Sequence, residues 1–388
     1  MRNKIDILIV ARPDHSMQIY RELLAQDKLK YLFLTFKVFP EWVKRIFHFK
    51  KMTTISKNVI CSWKLTFINL CRYKFKLSFA QNWDETTAFN RNLKSIFKKN
   101  EIKLIHYWPE YGDEEIHNYA LSHPGVRIFA DIHMPHPVAV FESMKPIYEK
   151  YNISPESTQL AVMAKKQNDF ARNATDILVP SSFVADTYRA VYNGKNYHVV
   201  SYGITVSKSY EKRHYEEITE FVYAGRISLE KGSDLLLEYF SMHPEYNIHL
   251  YGGISDGQET IFEPYKKLNN VFFHGSVPKA ELQDYLKKYH VGIHLSRFDA
   301  YSLAVGEMIG CGLPVIVSDH TGNMDDVRNE RLGIVTALTT DKISESIKSI
   351  TTPEVYNSIQ DNIEFFICNN NKSYGEKIIR FYKQMLSI

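Results

Sequence analysis

The chain has 388 residues, 44% of them hydrophobic and 24% charged, with a modest formal charge of +4. That is the composition of a soluble globular protein too long for one ordinary core, so two domains of similar size are expected. No window holds the roughly 18 consecutive apolar residues that a spanning helix requires. The four cysteines, Cys61, Cys71, Cys311 and Cys368, lack CxxC spacing, which points to free thiols in a reducing cytoplasm.

From the N-terminus, Lys4–Ala11 (KIDILIVA) predicts a buried strand, with no small-residue cleavage site to mark a signal peptide. Ser16–Gln26 predicts a helix, with Met17, Tyr20, Leu23 and Leu24 at helical spacing, and Tyr31–Phe36 a second strand. Residues 37–76 then hold ten Lys or Arg against a single acid, Glu41, and aromatic residues such as Trp42, Phe47, Trp63 and Phe79 are interleaved. Such a stretch suits the headgroup layer of an anionic membrane, and peripheral contact through residues 37–79 is the preferred expectation. A solvated basic face over ordinary core aromatics is the competing reading, and nucleic acid ranks last.

Ile102–Trp108, Val126–Asp131 and Thr175–Pro180 are further strand candidates. Ser154–Asn173 predicts a helix started by Ser154-Pro155-Glu156, with Pro at the first helical position. The polar, charged segment Ile204–Glu217 reads as a linker. Beyond it, Glu220–Gly225, Asn247–Gly252, Asn270–Gly275, Val291–Ser296, Leu313–Ser318 and Gly333–Ala337 predict strands, with helices at Ser233–Phe240, Lys279–Tyr289 and Ser373–Leu386. This alternation implies parallel sheets of βαβ units, whose ligands sit beyond the carboxyl ends of the strands.

Two segments carry chemistry. In Tyr223-Ala-Gly-Arg-Ile-Ser-Leu-Glu-Lys-Gly-Ser-Asp234 a strand ends at Gly225, and Arg226 and Lys231 lie in a loop leading into a helix. Two cations beside free backbone N–H groups form a diphosphate receptor without metal, or merely a surface loop with solvated charges. In Arg297-Phe-Asp-Ala-Tyr-Ser-Leu-Ala-Val-Gly-Glu307, Asp299 lies in a loop and Glu307 inside the next helix, about two turns on. Asp299 could reach a sugar hydroxyl and Glu307 a vicinal diol, while the N–H groups of Tyr301, Ser302, Leu303 and Ala304 could face phosphate. The plain alternative is an exposed Asp and a surface Glu, but Leu303, Ala304, Met308 and Ile309 make an apolar setting for Glu307.

Together these segments resemble the donor-site signatures of the family-4 (group 1) retaining glycosyltransferases. Gly225, Arg226, Lys231 and Gly232 match the strand-GR-x4-KG segment, and Asp299 and Glu307 match E-x7-E, followed by CGLPV. Leu250-Tyr-Gly-Gly253 resembles the loop after the second strand, and Phe273-His-Gly275-Ser-Val277-Pro278 the segment that holds the base. The match covers residues 120–335 well and the first 110 poorly.

The resemblance implies a GT-B fold, an α/β architecture of two Rossmann-like domains across a cleft. The acceptor domain would span 1–200 and the donor domain 205–370, with a helix at about 373–386 packing back on the first. It implies that Arg226 and Lys231 neutralise the leaving diphosphate, that Glu307 binds ribose, and that Asp299 and His133 hold the transferred sugar, with Gly253, Gly275 and Val277 lining the donor site. His136, Arg12, Asp14 and His15 are acceptor-side candidates. The expected activity is transfer of a hexose-type sugar from a nucleotide sugar, a UDP-sugar by preference, to a glycan or lipid-linked acceptor at the inner face of a bacterial plasma membrane. No cofactor or metal is expected, since D-x-D is missing. Two departures, Asp299 where the family has Glu and Arg12-Pro-Asp-His-Ser16 where it has a glycine pair, keep open a non-catalytic, nucleotide-sugar-binding partner or scaffold.

Overall fold

The computed structural model describes residues 3–12, 16–25, 29–36, 58–74, 76–78, 89–166, 171–207 and 210–387. Asp14, His15 and most of the basic-aromatic stretch fall outside the described residues.

In the first half, β1 (Asn3–Val10), β2 (Tyr31–Thr35), β3 (Val59–Cys61), β4 (Asn100–Tyr107), β5 (Arg127–Asp131), β6 (Asp176–Val179) and β7 (Asn196–Val199) form one sheet in the order β3-β2-β1-β4-β5-β6-β7. The helices are α1 (Ser16–Leu24), α2 (Trp63–Asn69), α3 (Asn90–Lys99), α4 (Asp113–Ser122), α5 (Pro137–Lys150), α6 (Gln159–Lys166) and α7 (Ser182–Arg189). In the second half, β8 (Glu220–Ala224), β9 (Asn247–Tyr251), β10 (Val271–Gly275), β11 (Val291–His294), β12 (Val315–Ser318) and β13 (Gly333–Thr336) form another, in the order β10-β9-β8-β11-β12-β13. With it go α8 (Ser233–Met242), α9 (Glu259–Phe262), α10 (Lys279–Leu286), α11 (Leu303–Gly310), α12 (Met324–Glu330), α13 (Thr340–Ile350), α14 (Pro353–Phe365) and α15 (Tyr374–Leu386). Every strand pairing is parallel.

The most enclosed parts of the inner strands are continuous apolar runs because helices cover both faces of a parallel sheet. Ile7, Leu8, Ile9 and Val10 of β1 and Val315, Ile316 and Val317 of β12 are wholly enclosed. The outer strands β3 and β7 carry no such run; β7 (NYHV) is half exposed, which is why periodicity does not announce it. The helix expected over 154–173 is divided. Pro155–Ser157 make one 3-10 turn, Thr158 is extended, and α6 begins only at Gln159.

Two helices pack outside their order in the chain. α15 lays Tyr374, Ile378, Ile379, Phe381 and Tyr382 into the first core, its start fixed by a reciprocal Ser373–Glu376 capping box. α5 connects two strands of the first sheet but buries Val140, Met144 and Tyr148 in the second core. Among the described residues no helix is long and apolar enough to cross a membrane.

Candidate functional site

In each sheet the strand order reverses once, between β1 and β4 and between β8 and β11, and the crevice outside the carboxyl ends of such a pair is where open α/β sheets take ligands. The loops leaving β8 and β11 carry Gly225–Gly232 and Leu295–Ser302.

Gly232 sets the first loop. Its φ is +66°, and a Cβ there would run into the Leu295 carbonyl oxygen, so only glycine lets this loop lie against the strand β11 extends into. Gly252 does the same one strand over, where a Cβ would strike the Gly225 carbonyl. The loop is also closed on itself. Ser233 gives its amide to the Ser228 carbonyl and accepts the Ser228 amide on its hydroxyl, so part of the α8 N-terminus is spent internally.

Lys231 and Asp299 meet in this crevice. Lys231 Nζ donates to Asp299 Oδ2 at 2.6 Å, and His294 Nε2 lies 3.3 Å from the same oxygen. Burial pushes the Asp299 carboxyl up, but the His294 hydrogen bond and the Lys231 charge outweigh it and hold the pKa down at about 2. Burial pushes His294 the other way, below the ordinary imidazole range, and its ring stacks on Tyr223 at 5.6 Å. A neutral His294 donates from Nε2, and its enclosed Nδ1 meets no described donor. Arg226 is exposed, and among the described residues no carboxylate pairs with it.

The neighbouring loops continue the rim. Gly252 gives its amide to the Gly275 carbonyl, and Gly253 lies beside the Ser276 hydroxyl. Val277 packs against the second core, and Lys279 two residues on pairs with Glu307, whose side chain is 13% exposed. Ser302 caps α11 through the Val305 amide and gives its own amide to Asn323 Oδ1. That leaves the Leu303 and Ala304 amides without an acceptor among the described residues. Tyr301 is buried, its hydroxyl donating to Asp326 Oδ2 at 2.6 Å and its ring edge-on to Tyr202.

On the first-half side, His133 Nδ1 is 2.9 Å from the Tyr202 hydroxyl, and its ring packs 4.1 Å from Trp108. Behind it lies Asp131, 3% exposed. Its Oδ2 accepts from His106 Nε2 at 2.9 Å, Trp108 Nε1 at 3.2 Å and the Tyr374 hydroxyl at 3.2 Å, while Oδ1 is 3.6 Å from His133 Nδ1. Burial pushes this carboxyl up, yet His133 and His106 hold it below the ordinary range. His136 instead packs inward, its ring edge-on to Tyr188 and its amide donating to Thr187 Oγ1. The Arg12 carbonyl accepts from Ser16, at the start of α1.

The structure thus brings Lys231 and Asp299 into contact, sets Glu307 beside the loop of Gly275 and Val277, and separates His133 from His136. Sequence reasoning missed His294, Glu230, Arg297 and Asp131. Arg297 forks onto Asp234 at 2.6 and 2.8 Å and ties the loop after β11 to the start of α8. Only the Asp131-x-His133 spacing gave a signal, by placing both residues at one strand end.

Residues 207–364 match the family model described as glycosyl transferases group 1. Mannosylfructose-phosphate synthase of Agrobacterium fabrum is 32% identical over 112 residues, and the match spans 25% of this chain and 25% of that protein. The sucrose-phosphate synthase of Thermosynechococcus elongatus superposes over 100% of both chains with a TM-score of 0.60 at 17% identity. The lipopolysaccharide outer core galactosyltransferase WaaB does so over 99% of both with 0.62 at 16%. Anabaena HepE, solved in complex with UDP and glucose, matches over 99% of this chain and 100% of its own with 0.56 at 13%. Over residues 207–364 the chain is thus similar to the group 1 glycosyltransferases, and its fold is GT-B.

Proposed function

We propose that the chain transfers a hexose-type sugar from a nucleoside-diphosphate sugar, UDP-linked by preference, to a glycan or lipid-linked acceptor in bacterial surface polysaccharide or glycolipid assembly. Within group 1 we place it in family 4, retaining and independent of metal, working at the inner face of the plasma membrane. One observation carries this function: at the crevice outside β8 and β11, an exposed Arg226 shares a loop with Lys231, which reaches Asp299 at 2.6 Å.

Arg226 and Lys231 would take the negative charge that grows on the leaving diphosphate, which is stabilisation by fixed charge. The Leu303 and Ala304 amides at the start of α11 would add donors. Glu307 would bind the ribose diol and Asp299 a hydroxyl of the sugar, with His133 across the crevice. In a retaining transfer the bond from the anomeric carbon to the phosphate oxygen breaks while the acceptor oxygen bonds to that carbon on the same face. The acceptor proton passes to the departing phosphate oxygen. The UDP in the HepE complex supports a nucleotide donor for this fold.

A thermal-shift screen with UDP-, GDP- and ADP-sugars, followed by a transfer assay with the stabilising donor, tests the proposal. Selective stabilisation and turnover are expected. Stabilisation by none defeats the donor site, and binding without turnover on any glycan or lipid acceptor leaves a nucleotide-sugar-binding scaffold.

A further inference from the structure

Glu230 presents an electrostatic problem. It lies in the loop between Arg226 and Lys231, where a carboxylate facing the crevice would repel the dianion those cations are there to hold. The structure turns it inward. Glu230 Oε1 accepts from the Tyr148 hydroxyl at 2.6 Å, and Gln258 Nε2 lies 3.4 Å from both carboxylate oxygens. Its backbone carbonyl accepts from the Arg297 amide at 2.9 Å and the Ser296 hydroxyl at 3.2 Å. Burial pushes the Glu230 carboxyl up, but the hydrogen bonds from Tyr148 and Ser228 prevail and keep it charged.

Tyr148 stands on α5, the helix that the first half lends to the second core. Tyr151, which caps the C-terminus of α5, donates its hydroxyl to Asp234 Oδ2 at 3.1 Å, so the end of α5 holds the C-terminal part of the loop and the start of α8. The N-terminus of the same helix follows directly from the loop holding His133. Fourteen residues of helix span about 21 Å, enough to tie the two sides of the crevice together.

We propose that Tyr148 is a positioning residue for sugar transfer: it holds Glu230 away from the crevice and so fixes the backbone that aims Arg226 and Lys231 at the donor diphosphate. This rests on the donor-site assignment above. Tyr148 touches no substrate and acts through Glu230.

The test uses the full chain, with Tyr148→Phe and Tyr148→Phe/Glu230→Gln. UDP affinity is measured by calorimetry and the protection of backbone amides 226–232 by hydrogen–deuterium exchange. Tyr148→Phe is expected to weaken UDP binding roughly five- to tenfold, the effect of losing one hydrogen bond to a charged group. It should also speed exchange in the loop and leave α11 unchanged. Adding Glu230→Gln removes the misplaced charge and should return both readouts toward wild type. Unchanged loop exchange in Tyr148→Phe overturns the proposal whatever the affinity does, and so does faster exchange without rescue by Glu230→Gln. A wild-type chain that binds no UDP, GDP or ADP counts against the donor site, and exchange then judges the role of Tyr148 by itself.

Discussion

Lys231 and Asp299, 68 residues apart in sequence, are joined at 2.6 Å, so a cation suited to a phosphate is already neutralised by a carboxylate suited to a sugar. A bound diphosphate would compete with Asp299 for the same ammonium. Asp299→Asn should therefore tighten UDP binding, roughly threefold, by releasing Lys231. It should also cut the transfer rate by on the order of a hundredfold if Asp299 anchors the sugar as proposed. Calorimetry and initial-rate assays read the two effects separately, and a variant that loses affinity for UDP contradicts the competition.

The Arg226 side chain is exposed, and among the described residues no carboxylate pairs with it. Arg226→Ala should leave stability within about 0.5 kcal/mol of wild type. On the proposed role of Arg226, affinity for UDP should fall about tenfold or more, and affinity for UMP much less, since the proposed charge-assisted contact to the distal phosphate is lost. Equal losses for UDP and UMP would remove Arg226 from the diphosphate.

Acid should act through Asp299. Its folded pKa, about 2, lies below the ordinary 3.8, so the pair contributes its full stability above the ordinary value and loses it as pH falls through the folded one. The loss amounts to ~2 kcal/mol between about pH 4.5 and pH 2. Urea unfolding across that window should show a shallower decline for Asp299→Asn than for wild type; parallel curves would assign the acid sensitivity elsewhere.

Asp131 ties β4, β5 and α15 to His133. Asp131→Ala strands the His106, Trp108 and Tyr374 donors in a buried site and should cost about 3 kcal/mol. Asp131→Asn, able to keep acceptor contacts, should cost less. Denaturant titration measures both, and an alanine variant as stable as wild type would show that these hydrogen bonds contribute nothing net.

Gly232→Ala places a Cβ on a left-handed residue against the Leu295 carbonyl. Destabilisation of about 1 kcal/mol or more is expected, with weaker UDP binding because the loop must shift. A thermal melt matching wild type would deny the close approach.

The inner strands were legible where two-sided burial writes itself as an unbroken apolar run, as in ILIVA over Ile7–Ala11. β3, with three residues, and the half-exposed β7 leave no such trace. Gly225, Arg226, Lys231, Asp299 and Glu307 were legible as spacings within a segment. What each one touches was not, because the partner comes from another strand or the other half of the chain. Lys231 finds Asp299 only when β8 and β11 are neighbours. Nothing local in the sequence pairs Glu230 with Tyr148, which α5 brings to it from the first half. Asp131 needed Tyr374 from α15, and no local pattern links the two.

The return of α15 to the first half bears on how the protein is made. Tyr374, Ile378, Ile379, Phe381 and Tyr382 finish a core whose sheet is laid down before residue 200, so during translation that core waits, unsealed, until α15 leaves the ribosome. A nascent chain paused within the second sheet would present an apolar groove along α1, a natural grip for chaperones and the point from which a truncated product would begin to clump.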